Sequence, residues 1–351
     1  MFIAISILIF GLIIAIHELG HFIAARIFRV GVPEFAIGMG PKLLKKQGKE
    51  TLYTLRAIPI GGFCALDGDD NEISSDRSLF AKPLWQRVII FASGSLMNIL
   101  VGFLLLLAFF STMTSLPTTT LSGFAEGFPL EGQHGFMVGD SFHRIDGSRV
   151  YQNANIGMLL DLAPGDTIDV EVIRDGQRVL LQNLPLRRQL FEGSDTPRFG
   201  FYFEVNEHPT FSDRFTYTFH NLLDTMRQLP LTLRMFARGQ AGIEDVSSVV
   251  GIVYIMNQAG TTAPTADIAF WRMVMLMAII SVSVAMVNML PIPGLDGGRI
   301  FLMLVSWVVA RVFRRELSRK VEGYINMAGI ALLLGLMIFI IFNDIIQIAG
   351  R

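Results

Sequence analysis

His17, Glu18 and His21 form an H-E-L-G-H run. On a helix, positions four apart share a face, so two imidazoles can grip one metal ion while the adjacent glutamate acts as base on a bound water. Zinc is the ion this pattern serves, and peptide hydrolysis is its chemistry. The run lies between the apolar stretches FIAISILIFGLIIAI and FIAARIF. Ionisable groups are costly in lipid and mark function there. The pattern points to a zinc peptidase centre at membrane depth.

Such a centre needs a third protein ligand and an open position for water. The chain has one cysteine, Cys64, which excludes a cysteine-rich site and any internal disulfide. Zinc would then have to be held by histidine and carboxylate, and the segment NMLPIPGLDGG (288–298) offers Asp296. Pro291 and Pro293 end a helix there, because proline removes a donor and pushes its predecessor toward extended geometry. Non-helical backbone at membrane depth is tolerated only inside protein or along a polar cavity. Asn288 brings an amide just ahead of the break, so Asn288, Pro291 and Pro293 are candidates for holding an extended substrate strand.

The elements that must position these residues follow from hydropathy. Of 351 residues, 52% are hydrophobic and 17% charged, with a mean hydropathy of +0.50. That is too apolar for an average soluble protein. Runs of about 20 apolar residues mark spans, here near 2–28, 86–110, 268–290 and 325–348. The first lacks a basic leader and a small-residue cleavage site, so it reads as a retained span. Lys and Arg crowd segments 26–87 and 299–320 and are absent before His17. Short basic loops favour the cytoplasm. Both termini and the long 112–265 insert are therefore expected outside, with the 29–85 and 291–324 loops inside. This orientation brings Asp296 to the depth of His17 and His21. The net charge of −1 and the lack of a basic tract outside these loops give no sign of nucleic-acid binding.

H-E-L-G-H in the first span with NMLPIPGLDGG closing a later one resembles the site-2 protease family of intramembrane zinc metalloproteases. FAIGMGPKLL (35–44), RAIPIGGFCALDGDD (56–70) and the Gly94–Asn98 pair of SGSLMN, in that order, are similar to the bacterial regulator of sigma-E protease branch. The resemblance covers nearly the whole chain. It implies that His17, His21 and Asp296 bind Zn2+ and that Glu18 is catalytic. It further implies a bacterial inner-membrane location, a β-loop able to pair with extended substrate, and single-span membrane proteins as substrates, such as trimmed anti-sigma factors or remnant signal peptides. Ser95 departs from relatives that carry proline there, and FCALDGDD departs from a pattern with tyrosine and an acid. Asn98 has two readings, a substrate contact or a helix–helix contact with one interhelical hydrogen bond.

Residues 122–205 alternate apolar and polar positions in TIDVEVIR and RVLLQNL, with Asp-Gly turns at 146–147 and 175–176. Those are strand and hairpin signals, and their order resembles one circularly permuted PDZ domain, a fold that captures peptide ends by strand addition. Segment 211–240 is amphipathic and reads as an interfacial helix. The expected fold class is an α-helical integral membrane protein with four transmembrane helices, a membrane-associated β-loop (about 31–66) and an inserted PDZ-like α/β domain. Its divisions are an N-terminal membrane core (1–111), the PDZ-like domain (112–205), an amphipathic linker (206–265) and a C-terminal membrane core (266–351). His134, His143, His208 and His220 read as surface or packing residues. The rival function is a PDZ-bearing membrane scaffold without proteolytic activity, against which the intact Glu18 speaks.

Overall fold

The computed structural model describes residues 2–349 apart from 69–74, 164, 194, 241, 243–245, 247 and 315–318. The chain divides into two compact units, Met1–Leu106 with Thr232–Arg351, and Leu107–Leu231.

In the first unit, four helices are long and apolar enough to cross a membrane: α1 (Phe2–Ile27), α2 (Leu84–Thr112), α6 (Ala266–Asn288) and α8 (Arg319–Ala349). The four apolar runs of the sequence fall on these helices. Little of α8 is buried within the protein, and Leu332, Ile338 and Phe342 are each well exposed. Outward-facing aliphatic and aromatic residues on a helix that length suit a hydrocarbon solvent. The helices α1 and α2 meet glycine to glycine. A Cβ on Gly20 would lie 2.3 Å from the Ser93 carbonyl oxygen and 2.9 Å from the Gly94 Cα, so no larger residue fits this crossing.

Between α1 and α2 lie two long bent strands, β1 (Glu34–Gln47) and β2 (Leu52–Ala65). Residues 34–37 run parallel to 52–55 and antiparallel to 62–65, while 42–47 run antiparallel to 52–56. The pair thus acts as four short strands, bent where Gly38, Gly40 and Gly61 take positive φ of 84°, 82° and 92°. The sheet rests directly on α1, since a Cβ on Gly11 would sit 2.0 Å from the Pro59 carbonyl oxygen.

Two further helices complete this unit. The segment 291–324, expected as a loop, contains α7 (Asp296–Phe313). Gly297, Gly298, Ile300 and Met303 give α7 one buried face, while Arg299 and Arg311 interrupt its apolar run and hid it from a search for spans. The segment 206–265, expected as one linker, is split between the units. Its last part forms α5 (Val249–Thr261), whose Met256 packs with Phe10 and Ile13 of α1 and Met273 and Ile280 of α6. The N-terminus of α5 is tied to α8: buried Asp344 accepts from Ser248 N (2.7 Å), Ser248 Oγ (2.5 Å) and Gly251 N (3.1 Å). That satisfies amides a helix start leaves unpaired.

The second unit holds β3 (Leu116–Phe124), β4 (Ser141–Ile145), β5 (Ser148–Arg149), α3 (Ile156–Asp161), β6 (Ile168–Arg174), β7 (Gln177–Leu184) and β8 (Phe201–Asn206). The sheet order is β7-β6-β4-β3-β8, with β5 paired to β4. The Asp-Gly pairs close both hairpins, with φ of 44° and 75° at Asp146-Gly147 and 49° and 77° at Asp175-Gly176, the conformation that favours this dipeptide. Phe136, Leu121, Val170 and Val172 are fully buried at its core. Most of α4 (Phe211–Ala237) belongs to this unit. Arg214 donates to the carbonyl oxygens of Phe110 (2.7 Å) and Met113 (2.6 Å), and Gln152 donates to that of Tyr217 (3.1 Å).

Candidate metal centre

The i, i+4 spacing does on α1 what it predicts: His17 and His21 stand on one face with ring centroids 4.8 Å apart and planes at 83°. Their Nε2 atoms are 3.2 Å apart. Asp296, separated from them by more than 270 residues of chain, is the first residue of α7. Its Oδ2 lies 2.9 Å from His17 Nε2 and 3.3 Å from His21 Nε2. An anion at a helix start is favoured by the dipole and by free backbone N–H groups. Among the described residues this is the one histidine and carboxylate cluster able to hold a metal ion.

The triangle has the size of one face of a zinc polyhedron. A tetrahedral ion with ligands at about 2.0–2.2 Å holds them roughly 3.3–3.6 Å apart. The three atoms need to spread by only a few tenths of an ångström. Two imidazoles and one carboxylate are a zinc-type donor set, whereas calcium calls for six to eight oxygens. Three protein donors leave one position for water.

Neighbouring groups hold this geometry. His21 Nδ1 is 2.8 Å from the Ile90 carbonyl oxygen of α2, which fixes that nitrogen as the donor and frees Nε2. His17 Nδ1 is buried with no hydrogen-bond partner among the described residues. A Cβ on Gly94 would come within 2.5 Å of His21 Nε2 and 2.7 Å of His17 Nε2, so α2 gives the imidazoles room through this glycine. Around Asp296 the backbone is close-packed: Cβ atoms on Gly297 and Gly298 would meet the carbonyl oxygens of Met289 (2.3 Å) and Ile292 (2.0 Å). Gly294, at φ 99°, donates its N–H to Asn326 Oδ1 of α8 at 2.8 Å. The loop that leads into Asp296 is therefore anchored from α8 by Asn326.

Glu18 follows His17 on α1 and is half-buried, its Oε2 accepting the Cys64 backbone N–H of β2 at 2.9 Å. This leaves Oε1 for another partner. Asn288, the last residue of α6, places Nδ2 3.4 Å from His17 Nε2 and so borders the cluster. Pro291 is exposed and Pro293 packs through its backbone beside Gly329. Neither touches the histidines through any contact described. Asn98 is fully buried one turn beyond Gly94, and its side-chain nitrogen and oxygen have no hydrogen-bond partner among the described residues. Its backbone carbonyl accepts from Ser281 Oγ of α6 at 3.0 Å. The sequence gives no sign that Ile90, Cys64 and Asn326 serve this site. The first two act through main-chain groups, which leave no residue signature.

The chain belongs to peptidase family M50, whose family model matches residues 5–336. It is 32% identical to a Clostridium perfringens protein named "putative zinc metalloprotease", over 99% of each chain. A Clostridium acetobutylicum protein of the same printed name is 32% identical, over 98% of this chain and 97% of its own. A Fusobacterium nucleatum relative, again so named, is 29% identical over 97% of both.

Proposed function

We propose that this M50 peptidase is a zinc-dependent intramembrane endopeptidase that cuts the transmembrane segments of single-span membrane proteins. The observation that carries the reading is the convergence of His17, His21 and Asp296 at 2.9–3.3 Å on a helix of membrane-spanning length. The zinc in its relatives' names fits that donor set. His17, His21 and Asp296 would hold the zinc, which would supply an acidified water and a polarised scissile carbonyl.

Glu18 is the base. The Cys64 N–H fixes one carboxylate oxygen, so the other is oriented to take the water's proton and later deliver it to the leaving amine. Asn288 donates from its amide to the substrate carbonyl beside the histidines. A helical substrate has no free backbone groups and must unwind to be cut. Residues 62–65 form an outer strand of the β1–β2 sheet and reach Glu18 through Cys64, which supports pairing of the unwound segment with this edge. Pro291 and Pro293 keep the 289–295 backbone out of helical pairing, which suits the same role. For Asn98 the bond to α6 runs through its backbone carbonyl, which supports a helix contact, while its unpartnered amide suits a substrate contact.

The second unit supports a PDZ-like reading through its hairpins, its short α3 and its exposed edge strands β7 and β8. In that role it would admit substrates whose outer domains have been removed. The bacterial relatives and the basic loops support a cytoplasmic-membrane location, with the metal centre toward the cytoplasm.

The test is cleavage of a single-span reporter in proteoliposomes. Chelation should abolish cleavage and zinc should restore it. Glu18→Gln should retain zinc near one equivalent while losing about 10²–10⁴-fold in rate, the usual weight of a general base. His21→Ala and Asp296→Ala should lose metal and activity together. A Glu18→Gln protein cleaving at a tenth of the wild-type rate refutes the assignment.

A further inference from the structure

Four polar side-chain atoms on α1 and α2 have no hydrogen-bond partner among the described residues: His17 Nδ1, Ser95 Oγ, and both Oδ1 and Nδ2 of Asn98. Asn98 is 0% exposed and Ser95 1%. Leaving such groups unpaired inside a protein is costly, so they are normally satisfied by protein or by ordered water.

Helix geometry gathers the four atoms. The two helices cross in antiparallel sense: His21 reaches the Ile90 carbonyl oxygen, Gly20 meets that of Ser93, and Gly94 abuts both histidine rings. His17, one turn before His21, therefore faces the part of α2 beyond Ile90. Its Cε1, the ring carbon bonded to Nδ1, lies 2.8 Å from where a Gly94 Cβ would stand. Asn98 is four residues after Gly94 and three after Ser95, so both are its neighbours on the helix surface. Side chains on a helix lean toward its N-terminus. Asn98 thus leans over Gly94, which puts no side chain in its way, and toward the His17 ring.

The metal-centre reading, on which this inference rests, decides where the proton sits. His17 Nε2 faces His21 and Asp296, so it keeps its lone pair for the ion and the ring proton stays on Nδ1. His21 has the same arrangement, with the Ile90 carbonyl oxygen accepting from its Nδ1–H. His17 needs an equivalent acceptor, because such a partner fixes the ring and raises its basicity. We propose that Asn98 and Ser95 hold one ordered water that accepts from His17 Nδ1–H, which makes Asn98 a positioning residue for that ligand. The water donates its two protons to Asn98 Oδ1 and Ser95 Oγ. Its three hydrogen bonds are the usual number for a buried water. Both histidines are then oriented from α2, one by a main-chain carbonyl and one by a side chain through water.

The test uses the full chain in detergent, stripped of metal and titrated with zinc against a chromophoric chelator. Asn98→Leu, similar in size but without an acceptor, should bind zinc about 10–100-fold more weakly, the usual cost of losing a ligand's outer partner. Asn98→Asp keeps an acceptor and should bind at least as tightly as wild type. Ser95→Ala, a milder change that serves if Asn98→Leu does not fold, should weaken binding by less than Asn98→Leu. Loaded with cobalt, Asn98→Leu should show shifted visible bands, because these report the ligand field, which a helix-packing role would leave unmoved. Zinc affinity unchanged in Asn98→Leu and Ser95→Ala overturns the proposal, and a raised KM in that same Asn98→Leu protein would assign the amide to the substrate. Equal losses in Asn98→Leu and Asn98→Asp overturn it too, since an acceptor would then not be what matters. A wild-type chain that binds no zinc sinks the metal-centre reading itself, whereas tight wild-type binding with unaltered variants sinks this inference alone.

Discussion

At the scale of single residues, the centre depends as much on what is absent as on what is present. Gly94 offers no side chain, and that absence lets two imidazole nitrogens lie against α2. Gly94→Ala places a methyl 2.5–2.8 Å from both rings, below any ordinary contact distance. Either α2 moves or the imidazoles turn away, and both spread the ligand triangle. The variant should keep helical content yet bind zinc at least about tenfold more weakly, since a ligand-positioning change commonly costs 10–100-fold. Gly335→Ala on α8 is the control, because a Cβ there meets nothing within 4 Å. Zinc binding by Gly94→Ala equal to that of Gly335→Ala would show that α2 does not confine the histidines.

Among the elements, those written by long regular patterns were legible. The four membrane-length helices come from apolar runs that no soluble core requires, and the hairpins come from Asp-Gly pairs whose positive φ the structure uses. The meeting of His17, His21 and Asp296 was foreseeable because a zinc site needs three protein donors and the expected topology puts these at one depth. Two elements left weaker traces. The helix α5 has 13 residues, too short to register as a span, and α7 carries arginines within its apolar run. The folding of β1 and β2 into four strands was hidden too, because pairing partners depend on main-chain groups and on where Gly38, Gly40 and Gly61 bend the chain. One residue ties that sheet together by charge. Glu34 accepts from Arg56 (2.9 Å), Thr54 Oγ1 (2.8 Å) and Lys42 (3.1 Å). Burial pushes its carboxyl up, but these three donors outweigh burial and hold it below the usual glutamate range. A depressed carboxyl stabilises the fold above its unfolded pKa of about 4.3 and loses that contribution as pH falls through the folded value. The melting-temperature gap between wild type and Glu34→Gln should therefore be constant from about pH 7 to 5 and shrink below about 4.3. A gap that persists unchanged to pH 3, or grows on acidification, would show that the ion pairs do not stabilise this sheet.

For the whole molecule, the governing quantity is the distribution of Lys and Arg about four spans. Each span crossed reverses the side, so an even number returns the chain to the side where it began. The proposed topology thus puts the basic segments 26–87 and 299–320 on one side and the 112–265 insert on the other. The positive-inside rule assigns the basic side to the cytoplasm because short Lys- and Arg-rich loops resist translocation. In the proposed orientation α7 would follow α6 on the cytoplasmic side, so that Asp296 at its start would meet the inner half of α1, where His17 and His21 lie. Sidedness and the metal site are thus one hypothesis. In a Cys64→Ala background, single cysteines at exposed positions such as Arg178 or Leu190 should react with a membrane-impermeant maleimide on intact cells. Cysteines at Lys45 or Arg314 should react only after permeabilisation. The opposite pattern would leave the four helices standing but turn the protein over. Water would then have to reach the metal from outside, and the Leu107–Leu231 unit could not act as a filter for outer domains.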